Sequence, residues 1–320
     1  FLGIQTELLS ISLISQGKVT APRSLKTRTE SPFLTPSFLA RSLATETGTF
    51  IGILVADLHN PLFAQIVDQV RVALEAEGEY SFMTSAMLLN SQGEQILDSK
   101  TVSALIDLRP KSVLVVGSIP DLHRLASLPE SVDIVIASAI SKDIARATTV
   151  RSNDEIGMRL LIEHLVENGH QKISHISVEA GDVSKSRRSA YESVMKEKGL
   201  AKFINVEFAK SATEIDGFDA AARLMNSQNP PTAITAFNDL LAIGAQGATD
   251  GTVAITGYDN TFLADLRQIS LTSVDPGNTE IADKAAQLLL KNDKAERAKT
   301  YLMEPKLIVR NSSKSLVRNN

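Results

Sequence analysis

From residue 50 almost to the end, the chain alternates short, wholly apolar runs with longer stretches in which apolar residues recur every three or four positions. Phe50-Ile51-Gly52-Ile53-Leu54-Val55-Ala56 is apolar on both faces, the pattern of a buried parallel strand. Asn60-Pro61 follows, and Phe63, Ile66, Val70 and Leu74 then fall at helical spacing, predicting a helix over 62–77 that Gly78 stops. The unit is expected again as a strand at 80–87 with a helix over 95–108, then a strand at 112–116 with a short helix over 122–128. A further strand is expected at 133–137. Near Val150 the series restarts. Helices over 155–168, 186–198, 215–226 and 240–246 alternate with strands at 172–178, 206–209, 232–236 and 253–257. Two consecutive sets of strand–helix–strand units predict an α/β protein made of two doubly wound parallel-sheet lobes. A strand at 271–275, a helix over 279–290 and a strand at 307–310 lie beyond both sets, free to complete either lobe or to pass between them.

Composition narrows the function. The 320 residues hold 33 Lys and Arg against 37 Asp and Glu, a net charge of −4, with neither Cys nor Trp. The length fits about two domains. Lack of Cys excludes a disulfide scaffold, a thiolate metal site and a cysteine nucleophile, and it fits a cytoplasmic protein. No apolar run approaches the ~20 residues that a membrane span needs, so no membrane partner is expected. The start, Phe1-Leu2-Gly3, has neither Met nor the layout of a signal peptide, so the natural N-terminus is expected elsewhere. The −4 total is also an average. The first 48 residues carry Lys18, Arg23, Lys26, Arg28 and Arg41 against Glu7, Glu30 and Glu46. A mildly acidic chain does not coat nucleic acid all over, but this end leaves room for a small basic module.

Ligands of open α/β sheets bind beyond the carboxyl ends of the strands, and two facing lobes make a cleft there. The polar and aromatic residues at those ends are Asp57, Leu62-Phe63, Asn153-Asp154, Arg187-Arg188, Asn238-Asp239 and Asp259-Asn260. Amides, carboxylates and guanidinium groups can each bind two hydroxyls, and Phe63 can cover an apolar face, so the set suits a sugar. Taken singly, Asn and Asp at such places also cap helices and make turns. Enzymatic signatures are missing. There is no Gly-x-Gly-x-x-Gly after the first strand, no Gly-x-x-x-x-Gly-Lys-Ser/Thr and no Gly-x-Ser-x-Gly. His59, His123, His164, His170 and His175 show no tight ligand spacing. The expectation is a non-enzyme with no catalytic residue, metal or cofactor.

A series of short motifs, taken in order, carries a resemblance. They are Ala40-Arg41-Ser42-Leu43-Ala44, Ile51-Gly52-Ile53-Leu54-Val55, Asn60-Pro61-Leu62-Phe63 and Asn168-Gly169-His170-Gln171-Lys172-Ile173. Asn238-Asp239-Leu240-Leu241-Ala242-Ile243-Gly244-Ala245, Gly257-Tyr258-Asp259-Asn260, Leu271-Thr272-Ser273-Val274 and Pro305-Lys306-Leu307-Ile308-Val309-Arg310 complete them. Through these, residues 36–313 resemble the LacI family of bacterial transcriptional regulators. The resemblance implies a periplasmic binding protein-like (type I) pair of lobes with three crossovers, near Asn153, Asp275 and residue 300. One lobe would comprise 49–152 with 275–299, the other 153–274 with 300–313, and 314–320 would be a tail. It further implies a hinge helix within 36–48, with Leu43 as the minor-groove wedge, Arg41 beside it on phosphate or groove, and Ser37 and Ala40 at the close approach to DNA and the paired helix. Residues 1–35 would be a partial or degenerate helix-turn-helix headpiece, because too little chain precedes Ile11-Ser12-Leu13-Ile14 for the usual first helix.

The effector site that the resemblance implies comprises Leu62, Phe63, Asn153, Arg187, Asn238, Asp239, Asp259 and Asp275. Arg187 stands in an Arg-x-x-Gly pattern whose Gly is Ala190. The usual Asp-Asn of the middle crossover is inverted to Asn153-Asp154, and Asp275 stands where many members carry Gln. Expected partners are operator DNA, a second copy of the chain and a small effector, a sugar first and a nucleoside or purine second. The rival reading is a solute-binding receptor without DNA function, built on the same lobes.

Overall fold

A computed structural model describes residues 48–90, 95–249, 251–291 and 293–313. Strands β1 (Phe50–Val55), β2 (Tyr80–Ser85), β5 (Ser112–Val116), β6 (Asp133–Ala137), β7 (Thr148–Ser152) and β13 (Thr300–Met303) form one sheet in the order β13-β7-β6-β5-β1-β2, parallel throughout. The second sheet runs β14-β12-β11-β10-β8-β9, built from β8 (Ile173–Val178), β9 (Asn205–Ala209), β10 (Ala233–Ala236), β11 (Ala254–Tyr258), β12 (Thr272–Asp275) and β14 (Lys306–Ile308). Only its β14–β12 pairing is antiparallel. A short antiparallel ribbon, β3 (Met87–Leu89) with β4 (Gln95–Leu97), extends the first lobe.

Helices cover both faces of each sheet, which is why the central strands are apolar without alternation. On one face of the first sheet, Ile51, Ile53 and Val55 of β1 pack with Ile66, Val70 and Leu74 of α1 (Pro61–Ala76) and with Ile281, Ala285 and Leu289 of α7 (Asn278–Lys291). The other face buries Leu54, Val113, Val115 and Ile136 against Val102 and Leu105 of α2 (Ser99–Asp107). In the second lobe, α3 (Asp154–Glu167) and α4 (Asp182–Glu197) cover one face, and α5 (Glu214–Met225) and α6 (Asp239–Gly247) the other. Each fully buried Leu, Ile or Val contributes about 1.5–3 kcal/mol, so four such layers hold the two sheets independently. Among the described residues, no helix is long and apolar enough to cross a membrane.

Three departures from the sequence pattern have physical causes. Thr148-Thr149-Val150-Arg151-Ser152 forms β7 without an apolar run, because its hydroxyl-bearing side chains are buried against neighbouring strands. The helix expected over 95–108 begins only at Ser99. Asp98 stops the strand and caps the helix, its carboxylate accepting from the Lys100 and Thr101 amides at 3.1 Å each. The last crossing, expected near residue 300 with 300–313 in the second lobe, instead falls at Glu304-Pro305, since Thr300–Met303 pairs with β7 in the first sheet. The chain thus passes between lobes at Asn153, after Asp275 and at Glu304-Pro305, three strands side by side; the Asn153 amide donates to Met303 O at 3.0 Å.

Candidate functional site

In both sheets the strand order reverses once, between β1 and β5 and between β8 and β10. Helices leave in opposite directions at such a switch point and open a crevice beyond the strands. The two crevices face each other across a cleft of about 560 Å³. Ala56-Asp57 follows β1, Gly117-Ser118 follows β5, and Ser138 follows β6 on one wall; Val178 ends β8 and Phe237-Asn238 follows β10 on the other.

Local structure aims the first-lobe wall. Asn60 caps α1, its Oδ1 accepting from the Leu62 amide at 3.0 Å, and Pro61 fixes the first helical φ. Leu62 and Phe63 therefore leave the helix start into the cleft. Gly117, at φ +86°, lets Phe63 lie flat on the strand end: a β-carbon there would sit 2.6 Å from Phe63 Cζ.

The second-lobe wall is organised around Arg187, which is 6% exposed. Nε donates to Asp154 Oδ1 at 3.1 Å, and Nη1 donates to Phe237 O at 2.5 Å and to Asp259 Oδ1 at 3.4 Å. Its guanidinium carbon lies 3.5 Å from the Tyr258 ring centroid and 5.0 Å from that of Phe237. Burial opposes the charge on Arg187, and the Asp259 and Asp154 carboxylates outweigh it, so its pKa is raised. Asp259 turns out of β11 at φ +108°, a backbone region that costs a non-glycine residue about 1–3 kcal/mol. The turn is held by Asn278 Nδ2, which donates to Asp259 O at 2.9 Å. Burial pushes the Asp259 carboxyl up to about 6, against the pull of Arg187 and a hydrogen bond from the Asn60 side chain of the opposite lobe. Beneath it, burial and the Asp259 charge push Asp239 up to about 7.

Of the sequence-predicted effector residues, Leu62, Phe63, Arg187, Asn238 and Asp259 line the cleft. Asn153, Asp239 and Asp275 do not. Asn153 caps α3, its Oδ1 accepting from the Ile156 amide at 3.3 Å. The Asp239 carboxylate is turned inward and accepts from the Thr261 amide (2.7 Å), Thr261 Oγ1 (2.9 Å) and Ser273 Oγ (2.6 Å). Asp275 caps the second crossing, accepting from the Gly277 and Asn278 amides at 2.8 and 3.2 Å, and from Asn260 Nδ2 at 3.1 Å. The inverted Asn153-Asp154 pair thus exchanges duties: the amide caps, and the carboxylate reaches Arg187. Sequence reasoning missed Phe237, whose only signal was its place before Asn238-Asp239, and the serines Ser118 and Ser138, which nothing in their sequence neighbourhood marked. Ser138 Oγ is buried and has no hydrogen-bond partner. Ser37, Ala40, Arg41 and Leu43, with the whole of 1–47, lie outside the described residues.

The assembled cleft presents two phenyl rings, one per lobe, with amides, hydroxyls and carboxylates between them. Such a surface is chemically suited to a compact polar ligand with an apolar face. Residues 162–313 match the periplasmic binding protein-like domain family. A curated relative, the HTH-type transcriptional repressor PurR of Photobacterium profundum, is 27% identical over 297 residues, covering 88% of this chain and 86% of its own. The crystal structure of a LacI transcriptional regulator from a Rhodococcus species superposes with a TM-score of 0.75 at 24% identity, over 83% of this chain and 99% of that one. The lac repressor dimer, bound to operator and the anti-inducer ONPF, superposes with a TM-score of 0.73 at 18% identity, over 88% and 99%.

Proposed function

Because the chain belongs to the LacI family of transcriptional regulators, we propose that it is a repressor whose hold on operator DNA is set by a sugar bound in the cleft. The observation that carries this reading is the Arg187–Asp259 pair at the cleft floor, with Phe63 and Phe237 approaching from opposite lobes. Such a floor grips hydroxyls, and the rings cover a sugar's apolar face.

The site is wired to the crossovers. Asn60 of the first lobe lies near enough to Asp259 of the second to favour its charged form, the neighbouring Asn260 bonds Asp275, and Asn278 at the start of α7 bonds the Asp259 carbonyl. A ligand that comes between Asn60 and Asp259 has different affinities for different lobe arrangements, and only such a difference shifts a conformational equilibrium. The readout would be the segment 36–48, where Leu43 and Arg41, with Ser37 and Ala40, act on the DNA minor groove. A homodimer would place two such segments side by side, acting in the cytoplasm. Val72 on α1 (68% exposed) and Tyr80 and Phe82 on edge strand β2 (58% each) offer an apolar first-lobe face for it. The lac repressor, similar in fold, is a dimer on its operator.

Titrating the full chain against neutral sugars and nucleosides by calorimetry, then against operator candidates by gel shift, tests the reading. It requires salt-sensitive DNA binding that the bound small molecule changes. DNA binding under no condition would leave the solute-receptor reading in its place. A nucleoside is the second reading, favoured by the two phenyl rings, and would win if bases bind and sugars do not.

A further inference from the structure

Arg187 brings a cation to the cleft floor, but that cation is outnumbered. Asp154 Oδ1 lies 3.1 Å from Nε and Asp259 Oδ1 3.4 Å from Nη1, and both acids are buried. Asp239, a third buried acid, has its proton affinity raised to about 7 by burial first and by the neighbouring Asp259 second, so it adds only part of a negative charge. Among the described residues on the cleft walls, Asp57, Asp143 and Asp182 stand against the single Lys142. Asp154 also meets Arg151, Oδ2 to Nη1 at 2.7 Å, but the Arg151 side chain is 20% exposed and partly screened by water. Nη2 is the one end of the Arg187 guanidinium with no protein acceptor among the described residues, so the group keeps donors for a ligand while its net charge is spent.

An asparagine at 154 would accept the same Nε–H bond. What the carboxylate adds towards Arg187 is charge, in a site where charge is poorly screened; towards Arg151 it adds a second acceptor, Oδ2. We propose that Asp154 is a specificity-determining residue that makes the cleft reject anions: the effector is a neutral polyhydroxyl compound or one bearing an amine, not a phosphate ester or a carboxylate. This rests on the reading of the cleft as the effector site.

The test uses the full chain and matched probes: ribose with ribose 5-phosphate, adenosine with its 5′-monophosphate, glucose with glucosamine, and inorganic sulfate at constant ionic strength. In the wild-type protein, the phosphorylated member of a pair should bind at least about tenfold more weakly than the neutral one, and glucosamine no more weakly than glucose. In Asp154→Asn the ratio of phosphorylated to neutral affinity should rise about tenfold, and sulfate should stabilise the variant but not the wild type in thermal melts. A phosphorylated probe that binds wild type as tightly as its neutral partner overturns the proposal, as does an unchanged ratio in a variant whose circular dichroism is native. If Asp154→Asn does not fold, the wild-type pairs and sulfate decide. If no sugar or nucleoside binds, the effector reading fails by itself and sulfate alone judges the charge argument. Binding to the variant only supports it; binding to wild type, or to neither protein, refutes it.

Discussion

Replacing Arg187 by Met removes the guanidinium and keeps a side chain of similar length, so the perturbation is electrostatic before it is steric. At 3.1 and 3.4 Å, with an effective dielectric of about 20, each ion pair carries about 5 kcal/mol of attraction before desolvation is subtracted. Removing one partner of a buried pair costs about 3–5 kcal/mol, because the remaining charge stays buried without compensation. The loss has a ceiling set by pH. A stranded carboxylate can escape by taking a proton, at about 1.4 kcal/mol per pH unit above its unfolded value near 3.9. For Asp259 that ceiling is about 5 kcal/mol at pH 7.5 and about 1.5 kcal/mol at pH 5, while Asp154 keeps Arg151 as a partner. In the variant, Asp259, which burial already raises to about 6, loses the cation that pulls it down, so its folded pKa lies further above its unfolded value. Its stability contribution is therefore present below about pH 4 and is lost as pH rises through the folded value. Arg187→Met is expected to lose about 4 kcal/mol at pH 7.5 and about 2 kcal/mol at pH 5. Scanning fluorimetry should read the first as a fall of about 8–16 °C in Tm. A loss below about 1 kcal/mol at pH 7.5, or equal losses at both pH values, would refute the account of Arg187 as the cation that buried carboxylates require.

Other substitutions probe the supports of the site. A β-carbon on Gly157 of α3 would lie 2.3 Å from Tyr258 Oη, so Gly157→Ala should cost about 1–3 kcal/mol of overpacking against about 1 kcal/mol gained in helix propensity. A more stable protein by calorimetry would contradict that. Asp239, raised to about 7 in the folded protein, contributes stability below about pH 4 that is lost as pH approaches 7. The Tm advantage of wild type over Asp239→Asn should therefore shrink between pH 5 and pH 8; a constant gap would show that Asp239 titrates normally. Phe63→Ala and Phe237→Ala should each weaken the bound effector about tenfold by calorimetry, and unchanged affinity would remove the rings from the site. Phe82→Lys with Val72→Lys should lower the dimer fraction in sedimentation; an intact dimer would place the contact elsewhere.

The elements that the hydrophobic pattern identified are those whose burial is decided by immediate neighbours. β1 and α1 carried their signals in a run of seven residues and in four apolar positions at helical spacing, and both lie within a residue or two of the expected bounds. β7 did not, because Thr148, Thr149 and Ser152 are buried by strands contributed from residues 133–137 and 300–303. The ribbon at 87–97 stayed hidden for a related reason: its pairing is cross-strand, while the residues alone resemble the start of the helix that Asp98 postpones.

The chain by itself determined the lobe architecture and most of the cleft chemistry. Parallel strands buried on both faces must be apolar, and ligands of such sheets meet the residues at the strand ends; Phe63, Arg187, Asn238 and Asp259 were legible on that ground. Only the tertiary structure decided how those groups are spent. Whether a carboxylate caps a helix, bridges a turn or balances a guanidinium depends on distances between residues 33 and 72 positions apart, as from Arg187 to Asp154 and Asp259. Nothing in the spelling Asn153-Asp154 says that the amide takes the cap and the acid takes the cation. The packing of α3 against α4 makes that assignment, and with it the charge at the cleft floor.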